Sequence, residues 1–132
     1  MKRYICMMLF VVLLLTACSA GEVKGVNITV GQSEIYSERQ IRSAMDKVCG
    51  HFEKNFDDCV LTDLWYDEAV SQKEADKRAE QYDAEEAIIL LSNFNTGSGA
   101  DASLNPNDTY QKWSWILVRR WYGWELVDWG YA

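Results

Sequence analysis

Proline is almost missing from this chain. Pro106 is the only one, and it lies in Asn95–Thr109, the one stretch that approaches low complexity. Histidine is limited to His51. Cysteine is sparse: Cys6, Cys18, Cys49 and Cys59 form no Cys-x-x-Cys pair, so no dithiol redox motif is encoded, and too few remain for a closed zinc site. There is no Gly-x-Ser-x-Gly elbow, no glycine-rich phosphate loop and no internal repeat. Basic residues are in deficit, 13 Lys and Arg against 20 Asp and Glu, for a net charge of −7. Nucleic acid is therefore not an expected partner, because its phosphates must be neutralised. Nor is there a basic patch to hold anionic lipid. No cofactor is implied.

Long apolar runs are also lacking, with one exception. Ile5–Leu15 is unbroken but too short to span a bilayer comfortably. Lys2 and Arg3 precede it and small residues follow, the pattern of a secretory signal. The junction Leu15-Thr16-Ala17-Cys18 resembles a bacterial lipobox. That resemblance implies cleavage before Cys18 and a diacylglycerol on its thiol. The expected organisation is a signal peptide over 1–17, a lipidated cysteine and tether over 18–34, and one domain over 35–132. The expected location is the extracytoplasmic face of the cell membrane. Cleavage removes Lys2 and Arg3, so the mature chain stands at −9 against −7 for the whole. Two thiols, Cys49 and Cys59, remain in a compartment that permits a disulfide, and the spacing leaves a bridge between them open.

What the chain has in abundance is tryptophan near its end. Trp113, Trp115, Trp121, Trp124 and Trp129 fall within Tyr110–Ala132. Tyr110–Arg119 and Trp124–Tyr131 are rich in aromatic and branched residues and predict a hairpin, with Gly123 in the turn. Placing Arg119 opposite Trp124 pairs Leu117 with Leu126 and Ile116 with Val127. Strict alternation then puts Trp113, Trp115, Leu117, Trp124 and Leu126 on one face. Trp129 falls on the other face, and Asp128 on the Trp115 side.

Tyr36–Phe56 predicts the main helix. Ser37 and Gln40 form a capping box, and Ile41, Ala44, Met45, Val48, Cys49, Phe52 and Phe56 form one apolar stripe. Cys59–Tyr66 predicts a strand and Asp67–Val70 a turn. Ser71 with Glu74 predicts a second cap, opening a short helix to Tyr82 with Ala75 and Ala79 inward. Glu85–Phe94 carries a continuous apolar run and predicts a central strand. Val26–Val30 reads as a short strand ending the tether. The expected fold class is α+β: a long N-terminal helix on a curled antiparallel sheet of about four strands, with a short second helix. Over residues 35–131 that order resembles the cystatin-like and NTF2-like folds.

A second resemblance is in wording. Cys59 to Tyr66, Ser103-Leu104-Asn105-Pro106-Asn107, Thr109-Tyr110, Trp113 to Arg119, Trp124-Glu125-Leu126 and Trp129-Gly130-Tyr131 resemble a family of small uncharacterised lipoproteins of Gram-positive bacteria. The likeness implies location and supplies no catalytic residues.

Three kinds of site compete. The aromatic sheet face, through Trp65, Trp113, Trp115 and Trp124, offers a binding surface for a small ligand or an extracytoplasmic protein. Asp63 and Asp128 would be the acid–base pair of an NTF2-like isomerase or dehydratase if both faced an apolar cavity. Asp101, Ser103, Asn105, Asn107 and Asp108 are oxygen-rich, yet Lys112 stands where a calcium loop needs its bidentate glutamate. His51 reads as a surface residue on the flank of the helix. A membrane-anchored binding domain leads, an acid–base enzyme follows, and a structural or accessory lipoprotein is the third reading.

Overall fold

A computed structural model of the chain describes residues 20–131. The leader and Cys18 lie outside the described residues.

Helix α1 spans Glu38–Asn55. Its start is the predicted capping box: Ser37 Oγ accepts from the Gln40 N–H at 3.2 Å, and the Gln40 side chain accepts from the Ser37 N–H at 2.9 Å. Ile41, Ala44, Met45, Val48 and Phe52 are buried along the predicted stripe. Five strands follow the pattern β1 Asn27–Thr29, β2 Cys59–Trp65, β3 Ala87–Thr96, β4 Thr109–Arg120 and β5 Gly123–Gly130. Between β2 and β3 runs helix α2, Glu68–Gln81.

The strands stand in chain order, β1-β2-β3-β4-β5. Here the expected fold class fails. The sheet has five strands and is mixed, because β1 runs parallel to β2 while every other pair is antiparallel. The extra strand is the short one expected at Val26–Val30 to end the tether, which joins the sheet as its edge. Its three residues are all exposed, so no alternation betrays that pairing. What holds it is backbone pairing of Asn27, Ile28 and Thr29 with Asp63, Leu64 and Trp65. α1 is consequently not N-terminal, and at 18 residues it is only four longer than the 14 of α2.

The second correction concerns coverage. The expected sheet curls around one helix. The observed sheet is flanked on both faces. α1 packs on one, where Leu61, Leu64, Ile88, Leu90, Phe94, Trp115 and Leu117 join its stripe in the main core. α2 covers part of the other, Ala75 against Ile89 and Ile116, and Ala79 against Ala87 and Val118. Small alanines let this helix lie close to β-branched strand residues. α2 also begins earlier than predicted. Asp67 is its N-cap, accepting from the Val70 N–H at 3.3 Å. Ser71, expected as the cap, is fully buried within the helix and accepts from the Ile89 N–H at 3.0 Å.

The third correction is a bulge. Arg119 pairs with Trp124 and Leu117 with Leu126, as the hairpin register predicts. Then the register shifts, and Ile116 pairs with Asp128 and Trp115 with Trp129. One extra residue, Val127, turns every later side chain to the opposite face. Trp129 joins Trp115 on the α1 side, and Asp128 goes to the α2 side.

Candidate functional site

The start of β2, the end of β3, the start of β4 and the end of β5 meet at one end of the sheet. The last turn of α1 lies over that end. A cavity of about 430 Å³ opens there, between α1, the 97–108 loop and strands β4 and β5. Its walls are aromatic: Phe56 from the C-cap of α1, Trp113 from β4 and Trp129 from β5. Trp129 is 40 % exposed, whereas Trp115 beneath it is fully buried.

The polar groups come from two places. His51 and Asn55 stand one turn apart on α1, so they share a face. The Asn55 amide donates to His51 Nδ1 at 3.2 Å and to the His51 carbonyl at 3.1 Å. A ring nitrogen that accepts carries no proton, so the neutral imidazole holds its proton on Nε2. That Nε2–H and the Trp113 Nε1–H are both buried and without a partner among the described residues. Each such donor costs roughly 1–3 kcal/mol relative to a satisfied one. Burial also pushes the His51 pKa below its ordinary value.

The 97–108 loop supplies Asp101, Ser103 and Leu104. It is a pinned structure, not a slack connection. Asp58 anchors its start, its carbonyl accepting from the Gly97 N–H at 2.7 Å and its carboxylate from the Gly99 N–H at 2.7 Å. Thr96 Oγ donates to the Asn105 carbonyl at 2.6 Å and accepts from the Asp108 N–H at 2.9 Å. Tyr110 Oη accepts from the Asn105 N–H at 2.8 Å. Asp101 accepts from the Ser103 N–H at 2.9 Å, which holds its carboxyl below the usual range. The carboxylates of the calcium-like sequence thus bond their own loop. Among the described residues no group of three or more His, Cys, Asp or Glu side chains is placed to hold a metal.

Of the four expected binding tryptophans, only Trp113 lines the cavity. Trp115 is core, its Nε1–H donating to Ser92 Oγ at 2.7 Å. Trp124 is buried too, donating to the Gln40 carbonyl at 3.1 Å with the Arg119 guanidinium 4.8 Å over its ring. Trp65 follows core residue Leu64 on β2 and so points to the α2 side. Asp63 and Asp128 are not brought together. They sit on β2 and β5, with two strands between them, and neither lines the cavity. Asp63 accepts from Thr62 and Asn93 at 2.9 and 3.2 Å, and Asp128 pairs with Arg78 at 3.5 Å. Cys49 and Cys59 are free thiols. Burial first, and neighbouring acids second, push both up to about 11.

His51, Asn55 and Trp129 were not singled out for this site from sequence. The four-residue spacing of His51 and Asn55 beside the apolar stripe was a usable signal. Trp129 was concealed by the bulge. A second, more polar depression of about 640 Å³ lies at the other end of the domain, beside Glu68. Its groups satisfy each other: Glu68 accepts from Ser33, from the Glu34 N–H and from Tyr66 Oη. Comparison of the chain with protein-family models, with curated proteins and with solved structures finds no match.

Proposed function

We propose that this protein is a membrane-tethered, extracytoplasmic binding domain, anchored by lipid on Cys18, whose site is the cavity between His51, Trp113 and Trp129. One observation carries the assignment. An aromatic-walled cavity of about 430 Å³ is lined by His51 and Trp113, whose Nε2 and Nε1 are buried without a hydrogen-bond partner. That size lies within the usual ligand range of about 300–1,000 Å³. The fitting ligand is small and neutral, with a flat apolar face for the indoles and acceptor oxygens at its edge. The lining carries no Lys or Arg to hold an anion. Titration of the domain with neutral saccharides and small aromatic amphiphiles, read by tryptophan emission, tests it. A saturable shift that Trp129→Ala abolishes supports the assignment; no shift from a folded domain removes it.

A second reading rests on the β4–β5 turn. Trp121 is 96 % exposed and Tyr122 is 56 % exposed. An indole so unprotected at a hairpin tip favours contact with another protein.

A further inference from the structure

The first described residues are fastened to the cavity end of the domain. The Gly21 N–H donates to the Glu53 carbonyl at 3.1 Å, and the Glu22 N–H to the Cys59 carbonyl at 2.9 Å. The Leu61 N–H returns a bond to the Glu22 carbonyl at 2.9 Å. Gly21 is thus stitched to the last turn of α1 and the start of β2. Its contact with α1 is so close that a Cβ on Gly21 would strike the Phe52 carbonyl. Only two residues, Ser19 and Ala20, separate Gly21 from Cys18.

Covalent geometry then fixes the orientation. Three residues of chain reach roughly 11 Å at most. An acyl pair on Cys18 is buried in hydrocarbon, which keeps that residue in the headgroup layer. β4 alone, at 12 residues, is about 35–40 Å long. The leash is therefore much shorter than the domain. With Cys18 lipidated, the attachment end, with His51, Asn55 and the 97–108 loop, stays beside the bilayer, and only the opposite end, with Trp121, is free to stand away from it.

Resting on the proposed lipidation of Cys18 and on the proposed binding role of the cavity, we infer that the cavity opens onto the membrane surface and receives a neutral, hydroxyl-rich lipid headgroup, that of a glycolipid. The charge pattern selects against the alternatives. By their places in the fold Glu22, Glu53, Asp57, Asp58, Asp101 and Asp108 lie at this end, with Lys24, Lys54 and Lys112 as the nearby basic residues. Anionic headgroups are repelled. A sugar ring has an apolar face that stacks on indole, and ether and hydroxyl oxygens that accept from N–H donors. Trp113 and Trp129 supply the indoles, and the donor is the His51 Nε2–H, buried and unpartnered until a ligand reaches it. A ligand confined to the leaflet also meets the tethered cavity at high effective concentration, on the order of millimolar.

The test uses the full lipidated chain in phosphatidylcholine vesicles with and without a dihexosyl diacylglycerol. Flotation of wild type against Cys18→Ala examines the anchor alone; equal flotation overturns the lipidation and the inference with it. For orientation, a dye is placed on Ala102→Cys or Trp121→Cys in a Cys49→Ser background, with an acceptor dye on the lipid headgroups. Energy transfer is expected to be several-fold greater from residue 102 than from residue 121. Twelve Gly/Ser residues inserted before Gly21 should erase most of that difference. Equal transfer from both sites in the uninserted chain overturns the orientation. For the ligand, tryptophan emission should shift at a total glycolipid concentration at least tenfold below that needed for the same disaccharide free in solution. If the free disaccharide acts equally well, the cavity binds sugar but not from the membrane, and the inference falls while the binding role survives. If neither shifts the emission, the headgroup assignment is overturned.

Discussion

The imidazole of His51 lies against the indole of Trp129, with ring centroids 4.3 Å apart and planes at 50°. An imidazolium in contact with indole quenches its emission, so this pair is a built-in pH reporter. The folded pKa of His51 lies below the ordinary value of 6.5 because burial disfavours the charged ring. The unfolded chain therefore takes the proton first. Stability is expected to fall as pH drops through about 6.5 and to level off below the folded value. Glu68 and Asp101, both held below their ordinary values, lose their contributions only further down, below 4.5 and 3.8. Emission and urea midpoints of wild type and His51→Gln, followed from pH 7.5 downward through the His51 transition, check this. The variant should show neither the quench nor the loss in that window.

Deleting Val127 removes the extra residue and leaves the pairs Ile116–Asp128 and Trp115–Trp129 in register. Trp129 should keep its place against His51, so the pH-dependent quench should survive. The contacts of Val127 with the α2-side clusters are lost, at an expected cost of about 1–3 kcal/mol by chemical denaturation. Loss of the quench would show that the bulge itself, and not the register beyond it, positions Trp129.

Ser71→Ala leaves the Ile89 N–H of the central strand without its acceptor. The expected loss is about 1–3 kcal/mol by chemical denaturation, despite the better helix propensity of alanine. Asp67→Ala, which removes the actual cap, should cost about 1 kcal/mol. Were Ser71 the cap, the smaller loss would fall on Ser71 and Asp67→Ala would be near neutral.

A Cβ at Gly97 would run into the Asp58 carboxylate. Gly97→Ala is expected to cost about 1–3 kcal/mol. In an Asp58→Ala background the obstruction is gone, so the same change should cost much less. A double-mutant cycle measures that coupling. Additive losses would mean that the two residues do not meet.

Cys49 and Cys59, at about 11, should react slowly with an aromatic disulfide at pH 8 and rapidly once the domain is unfolded. Fast stoichiometric reaction of both in the native state would contradict the burial of Cys59 and the half-burial of Cys49.

Physical signals of different reach explain what could be read in advance. α1 was legible because its cap and stripe are local, and Ser37, Gln40 and Ile41 suffice. The hairpin register was legible near its turn, where Gly123 and the facing pair Arg119 and Trp124 set it. It failed past Leu126, because no glycine or asparagine marks the bulge at Val127. The short strand expected at Val26–Val30 was legible, but its membership of the sheet was not, because parallel pairing with β2 leaves no pattern in three exposed residues. Ser71 misled because a buried hydroxyl serving a distant strand has the same local surroundings as a cap. The cavity was hardest to foresee. It assembles from the end of α1, a loop and two strand ends, and His51 alone gave no reason to join them.

The strand order has a consequence for how the protein is made. Each of the five strands pairs with its neighbour in the chain, so no strand waits for a distant one. Sequential pairings keep closed loops short and favour rapid assembly. A polypeptide emerging from its N-terminus during synthesis can therefore zip its sheet in the order it emerges. β5 arrives last, and with it Trp129, so the cavity acquires its final wall only when the last strand is in place.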